Sequence, residues 1–125
     1  LSNLEVQIRE FEVKGQVPAK ANNYRLAGKY LYKVKAVLEY EKAFAWQVIG
    51  HESKDIFDHA SYDIELDVYF RSKRSDLDNG AKTILDCLQK NGIIKNDNMV
   101  YRIIMNKYID KKDPRCIIKV KTYYK

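Results

Sequence analysis

The chain has 125 residues, the size of one domain with a modest core of its own. Apolar residues make up 46% and charged residues 32%, which excludes a disordered chain, and no apolar run approaches the roughly 18 residues that a membrane span requires. Lys and Arg outnumber Asp and Glu by 23 to 17, and the resulting net charge of +6 favours a polyanionic partner.

Residues 4–13 alternate, with Leu4, Val6 and Ile8 on one face and Glu5, Gln7 and Arg9 on the other, which predicts a strand. The phase slips before Phe11 and Val13, so a bulge is expected near Glu10. Gly15, Pro18, Asn22 and Asn23 mark a loop, and residues 24–32, with Gly28 near the middle, suggest a small hairpin. Over residues 33–49 the period lengthens. Val34, Val37, Leu38, Phe44, Ala45 and Val48 fall at helical spacing, Trp46 is expected at the core edge, and Gly50 fits a helix stop.

His51 and His59 have no third ligand in pattern and read as surface residues. Residues 62–70 form the cleanest strand: Ile64, Leu66, Val68 and Phe70 alternate with Asp63, Glu65, Asp67 and Tyr69, an acidic face that reads as the solvated side of an antiparallel strand. Residues 76–90 carry a second helical stripe of Leu77, Ala81, Ile84, Leu85 and Leu88, stopped at Asn91-Gly92. Residues 100–109 and 116–124 are Ile-, Val- and Tyr-rich strands joined by a polar turn with Pro114. The expected fold is α+β and single-domain over 1–125. It has about four strands in a mixed or mostly antiparallel sheet and two main helices, in the order β-α-β-α-β-β. Cys87 and Cys116 lie inside apolar patterns and form no CxxC, which reads as buried, reduced thiols and, with no signal-peptide pattern at the start, a cytoplasmic protein.

The chemistry concentrates in residues 74–100. Asp76 and Asp78 open the second helix, Lys82 follows one turn later, and Asp97 comes after the helix and its turn. Asp78, Lys82 and Asp86 are four apart and share one stripe of the helix. Carboxylates are hard oxygen ligands suited to Mg²⁺ or Mn²⁺, and a lysine among them can stabilise charge developing on a phosphate. Aspartate at a helix start also commonly serves as a cap, and Lys82 can be a plain i,i+4 partner of Asp78 and Asp86. An EF-hand is excluded, because Ala81 stands where its turn glycine would be and Cys87 where its last glutamate would be. The convergence of acids at a helix start, the basic loop Arg71, Lys73 and Arg74 before them, and a third acid after the helix favours a metal site for cleaving nucleic-acid phosphodiesters.

At these residues the sequence resembles the RusA family of Holliday junction resolvases of bacteria, phages and prophages. The shared pattern reads DLDNGAK, LDCL, NGIIKND and NMV here, is strongest over residues 74–107, and extends to PAKANNYR at residues 18–25. The resemblance implies metal-binding aspartates at Asp76, Asp78 and Asp97 and a catalytic lysine at Lys82. It implies a homodimer that nicks four-way DNA junctions symmetrically with Mg²⁺, or Mn²⁺ in its place, in DNA recombination and repair. Many members have Asp-Asp where this chain has Asn96-Asp97, so Asn96 is expected to support the site without ligating the ion. Lys107 matches a frequent family lysine and is a candidate phosphate contact. Arg71, Lys73, Arg74, Lys20, Arg25 and Asn23 are the further candidates for binding DNA. Two other functions fit the same residues: an inactive nucleic-acid-binding module, and another Mg²⁺-dependent phosphate-ester hydrolase.

Overall fold

Strict alternation of apolar and polar residues requires a strand with one face in the core, and residues 61–70 obey it throughout: Tyr62, Ile64, Leu66, Val68 and Phe70 are buried, and the residues between them are half-buried. In the computed structural model, which describes residues 5–18, 24–27, 30–33, 35–52, 60–75 and 77–124, this strand lies inside a four-stranded sheet. The elements are β1 (Glu5–Lys14), β2 (Tyr24–Ala27), β3 (Tyr30–Lys33), α1 (Lys35–Gln47), β4 (Ser61–Phe70), α2 (Leu77–Lys90), a 3-10 turn (Asp97–Met99), β5 (Val100–Ile109) and β6 (Arg115–Tyr124). The sheet order is β1-β6-β4-β5, and β2 and β3 form a separate antiparallel hairpin. The α+β class, the mixed sheet and the expected element order are all present.

Three pairings define the sheet. β1 and β4 are each antiparallel to β6, and β4 is parallel to β5. The two last strands are therefore not neighbours, because β4 lies between them. The acidic strand is also not a simple antiparallel one. Its polar face is half-buried, with Asp63 ion-paired to Arg102 at 3.1 Å and Asp67 accepting from Asn106 at 3.0 Å.

The core lies on the other face. Phe11 and Val13 of β1, Ile118 and Val120 of β6, and the buried row of β4 meet Tyr40 and Phe44 of α1 and Ile84, Cys87 and Leu88 of α2. Cys87 and Cys116 are buried free thiols, and burial pushes the Cys116 thiol up to about 12. The α1 stripe runs 37, 40, 44, 48. Trp46 sits about 200° around the helix from both Phe44 and Val48. It is 77% exposed, not at the core edge, and Leu38 is also exposed. Val34 and His59 lie outside the described residues. His51 is half-buried, stacked on Phe11 with ring centroids 4.8 Å apart.

The bulge expected near Glu10 does not form: β1 pairs with β6 in unbroken register from Glu5 to Lys14. The phase change in the sequence has another cause. Val6 and Ile8 face away from the core and are exposed, while Arg9 takes a place on the core face between them and Phe11. Its guanidinium donates to the carbonyl of His51 (2.9 Å), the carbonyl of Ile93 (2.6 Å) and Thr122 Oγ1 (3.4 Å), joining β1 to the ends of both helical segments. Arg9→Met is expected to lower stability by about 2 kcal/mol, because two charge-assisted bonds to carbonyls are lost. Urea denaturation checks this, and an unchanged midpoint would mean that water replaces the guanidinium without loss.

Candidate active site

The segment that holds most of the expected site residues starts where β4 ends. Residues 71–75 form a bend in which Arg71, Lys73 and Arg74 are exposed. Gln16 ties the bend from one side: its Oε1 accepts from the Arg71 amide (2.9 Å) and its Nε2 donates to Ser75 Oγ (3.5 Å). Lys107 ties it from the other, donating from Nζ to the carbonyls of Lys73 (2.8 Å) and Ser75. The first turn of α2 then approaches the core closely at Gly80, where a Cβ would stand 3.1 Å from Val17 Cγ1 and 3.6 Å from the Phe70 ring.

α2 buries Thr83, Ile84, Cys87 and Leu88 and presents the opposite side to solvent. Asp78 is exposed in its first turn, and Lys82 and Asp86 follow on the same stripe. The helix ends in a Schellman motif. Gly92 has φ +71°, its amide donates to the Gln89 carbonyl (3.1 Å), and the Ile93 amide donates to the Leu88 carbonyl (3.0 Å). Ile93 and Ile94 are buried, which turns the chain back over the helix.

That return brings Asp97 to the α2 surface. Its amide donates to Gln89 Oε1 (2.9 Å), and Asn96 caps the 3-10 turn by accepting from the Asn98 amide (3.1 Å). Asp97 Oδ2 lies 3.6 Å from Lys82 Nζ, and Asp86 Oδ1 lies 3.4 Å from the same nitrogen. Asp86 above all holds the Lys82 ammonium above its ordinary value; burial opposes this, and Asp97 adds a lesser raising effect. Lys82 is thus fixed as a cation between two acids from different parts of the chain.

Of the expected site residues, Lys82 and Asp97 are brought together, and Asp78 stands one turn before Lys82 on the same helix. Asp76 lies outside the described residues, as do Lys20 and Asn23. Arg25 is in β2. Among the described residues, no three His, Cys, Asp or Glu side chains converge as a metal-binding group. The carboxylates present are nonetheless donors of the type a hard divalent ion takes, and Asp86 joins Asp97 at the lysine. Gln16 and Gln89 are functional candidates that sequence reasoning missed. Glutamine in a loop or on a helix carries no chemical signature; only the fold shows that each holds a backbone amide. Asp86 was visible as part of the i,i+4 stripe.

Comparison with known proteins fits this arrangement. A family model described as Endodeoxyribonuclease RusA matches residues 12–121. The chain belongs to the RusA family. It is also similar to a protein of Aquifex aeolicus (strain VF5) named Crossover junction endodeoxyribonuclease RusA, with 34% identity over 125 residues, 98% of this chain and 97% of that protein. The RusA match runs from the last residues of β1 into β6, and so takes in β4, α2, the 3-10 turn and β5. No helix among the described residues is long and apolar enough to cross a membrane.

The Lys82 arrangement gives a titration order. Asp86→Asn is expected to lower the Lys82 pKa more than Asp97→Asn does, because Asp86 is the larger of the two influences. NMR titration of the lysine ε-carbon resonances checks it, and equal shifts or a larger shift in Asp97→Asn would contradict the geometry.

Proposed function

We propose that this RusA-family chain is a divalent-metal-dependent endonuclease that resolves four-way DNA junctions by paired symmetric nicks, acting in the cytoplasm in recombination and repair. The observation that carries the reading is Asp97 beside Lys82 on the exposed face of α2, in a chain matched to RusA endodeoxyribonuclease along most of its length. The chain as a whole acts as one RusA-like endonuclease domain. Asp76, Asp78 and Asp97 are the proposed ligands of Mg²⁺, with Mn²⁺ able to substitute. When bound, such an ion neutralises charge on the scissile phosphate and makes an attacking water acidic.

The chain's own residues do the rest. Lys82, already held as a cation by Asp86 and Asp97, stabilises negative charge that grows on the phosphoryl oxygens as water attacks phosphorus and the bond to the leaving oxygen breaks. Asp97 is placed through its own amide by Gln89, so its carboxylate has a defined origin. Arg71, Lys73 and Arg74, with Lys20, Arg25 and Asn23, take the phosphate backbone on either side of the cut. A homodimer presents two equivalent sites related by a two-fold axis, which matches two opposed strands in one junction.

A labelled four-way junction tests this directly. Paired nicks are expected with Mg²⁺ or Mn²⁺ and none after chelation. Asp76→Asn and Asp97→Asn should cut at least about a hundredfold more slowly while binding the junction as well or better, since each removes a negative charge facing DNA. Junction binding without cleavage by any divalent ion would indicate a binding module. Phosphate release from free nucleotides, with junctions intact, would indicate a different phosphate-ester hydrolase.

A further inference from the structure

The loop between β4 and α2 is exposed, polar and basic, yet it determines where the first turn of α2 begins. Loops of this kind are mobile unless side chains fasten them. Two side chains do so here, and the one on the sheet is charged. Lys107 lies on the helix side of β5, in register with Val68. Its ammonium stands 5.8 Å from the centre of the Phe70 ring and donates to the carbonyls of Lys73 and Ser75, the latter the residue just before Asp76. Two of its three donors are thereby directed to protein backbone and not toward solvent.

We propose that Lys107 is a positioning residue, which ties the segment ahead of α2 to β5 and so sets the place of the helix start that carries Asp78. This rests on the endonuclease reading above, and it departs from the role expected for Lys107 as a phosphate contact. A lysine that binds DNA phosphate and a lysine that binds backbone carbonyls have different consequences. Removing the first weakens junction binding and its dependence on salt. Removing the second leaves binding intact, loosens the loop and slows the chemical step, because misplacing a reacting group by an ångström is costly.

The test compares the wild-type protein with Lys107→Met, which keeps an unbranched side chain but removes the donors, and with Lys107→Arg, which keeps the charge and several donors. Three quantities are measured: amide hydrogen exchange over residues 71–78 in the free protein, junction affinity against salt in Ca²⁺ buffer, and single-turnover cleavage in Mg²⁺. For Lys107→Met, exchange should rise and single-turnover cleavage should fall by about tenfold or more, with junction affinity within about twofold and an unchanged salt slope. Lys107→Arg should recover most of the exchange protection and the rate, and it serves as the folded comparison should Lys107→Met lose stability. Unchanged exchange with weaker binding and a salt slope smaller by about 0.9 would overturn the proposal in favour of a phosphate contact. Unchanged exchange with unchanged cleavage would overturn it as well. Should the wild-type protein bind junctions and leave them uncut, the endonuclease reading fails, while the exchange comparison still decides whether Lys107 fastens the loop.

Discussion

β4 and β5 run parallel, and a parallel pair cannot be closed by a tight turn. The chain has to cross from one end of the sheet to the other, and α2 is that crossing. Its buried side is fixed by Ile84, Cys87 and Leu88, so its outward stripe of Asp78, Lys82 and Asp86 is fixed as well. The return at Gly92 must then deliver the chain to the start of β5, beside the C-terminal half of the helix. Asp97 occupies the last turn before that strand. An antiparallel β4–β5 hairpin would leave no helix between the strands and no reason for Asp97 to meet Lys82.

At that meeting point one cation faces two anions, since Lys82 is shared by Asp86 and Asp97. The patch keeps an excess of negative charge on the surface of a protein whose net charge is +6. Such local excess in a basic setting is the electrostatic condition for recruiting a divalent cation and a polyanion to the same place. The exposure of all three side chains limits the strength of each pair in water. The lysine is therefore oriented by its partners more than it is immobilised by them.

The elements were legible in the sequence wherever burial is periodic. β4 alternates without error, and the α2 stripe and its Gly92 stop fall where the 3.6-residue repeat and left-handed glycine place them. Legibility failed where a polar residue occupies a core-facing position. Arg9 on the inner face of β1 breaks the alternation and mimics a bulge, although the strand is continuous. It failed again at Trp46, because apolar character alone does not tell which side of an amphipathic helix is covered. The acids and Lys82 were visible as residue types and spacing. That Asp86 and Asp97 share Lys82, and that Gln89 holds the Asp97 amide, depends on a contact between the helix and a turn seven or more residues away, which no local pattern encodes.

The proposed site joins the outward stripe of α2 to a bend and a turn, the least rigid kinds of backbone. Each is fastened through backbone groups to side chains beside it: Asp97 by its amide to Gln89 on α2, and the 71–75 bend by an amide to Gln16 just beyond β1 and by carbonyls to Lys107 on β5. Fastening through the backbone has a particular consequence. It defines where the bend lies while leaving Arg71, Lys73 and Arg74 exposed at the surface. Had the same bend been held by ion pairs from those side chains, its rigidity would have been obtained at the expense of the positive charge that a phosphate backbone requires. Neutral amides and one inward lysine separate the two demands, so the bend can be both ordered and basic.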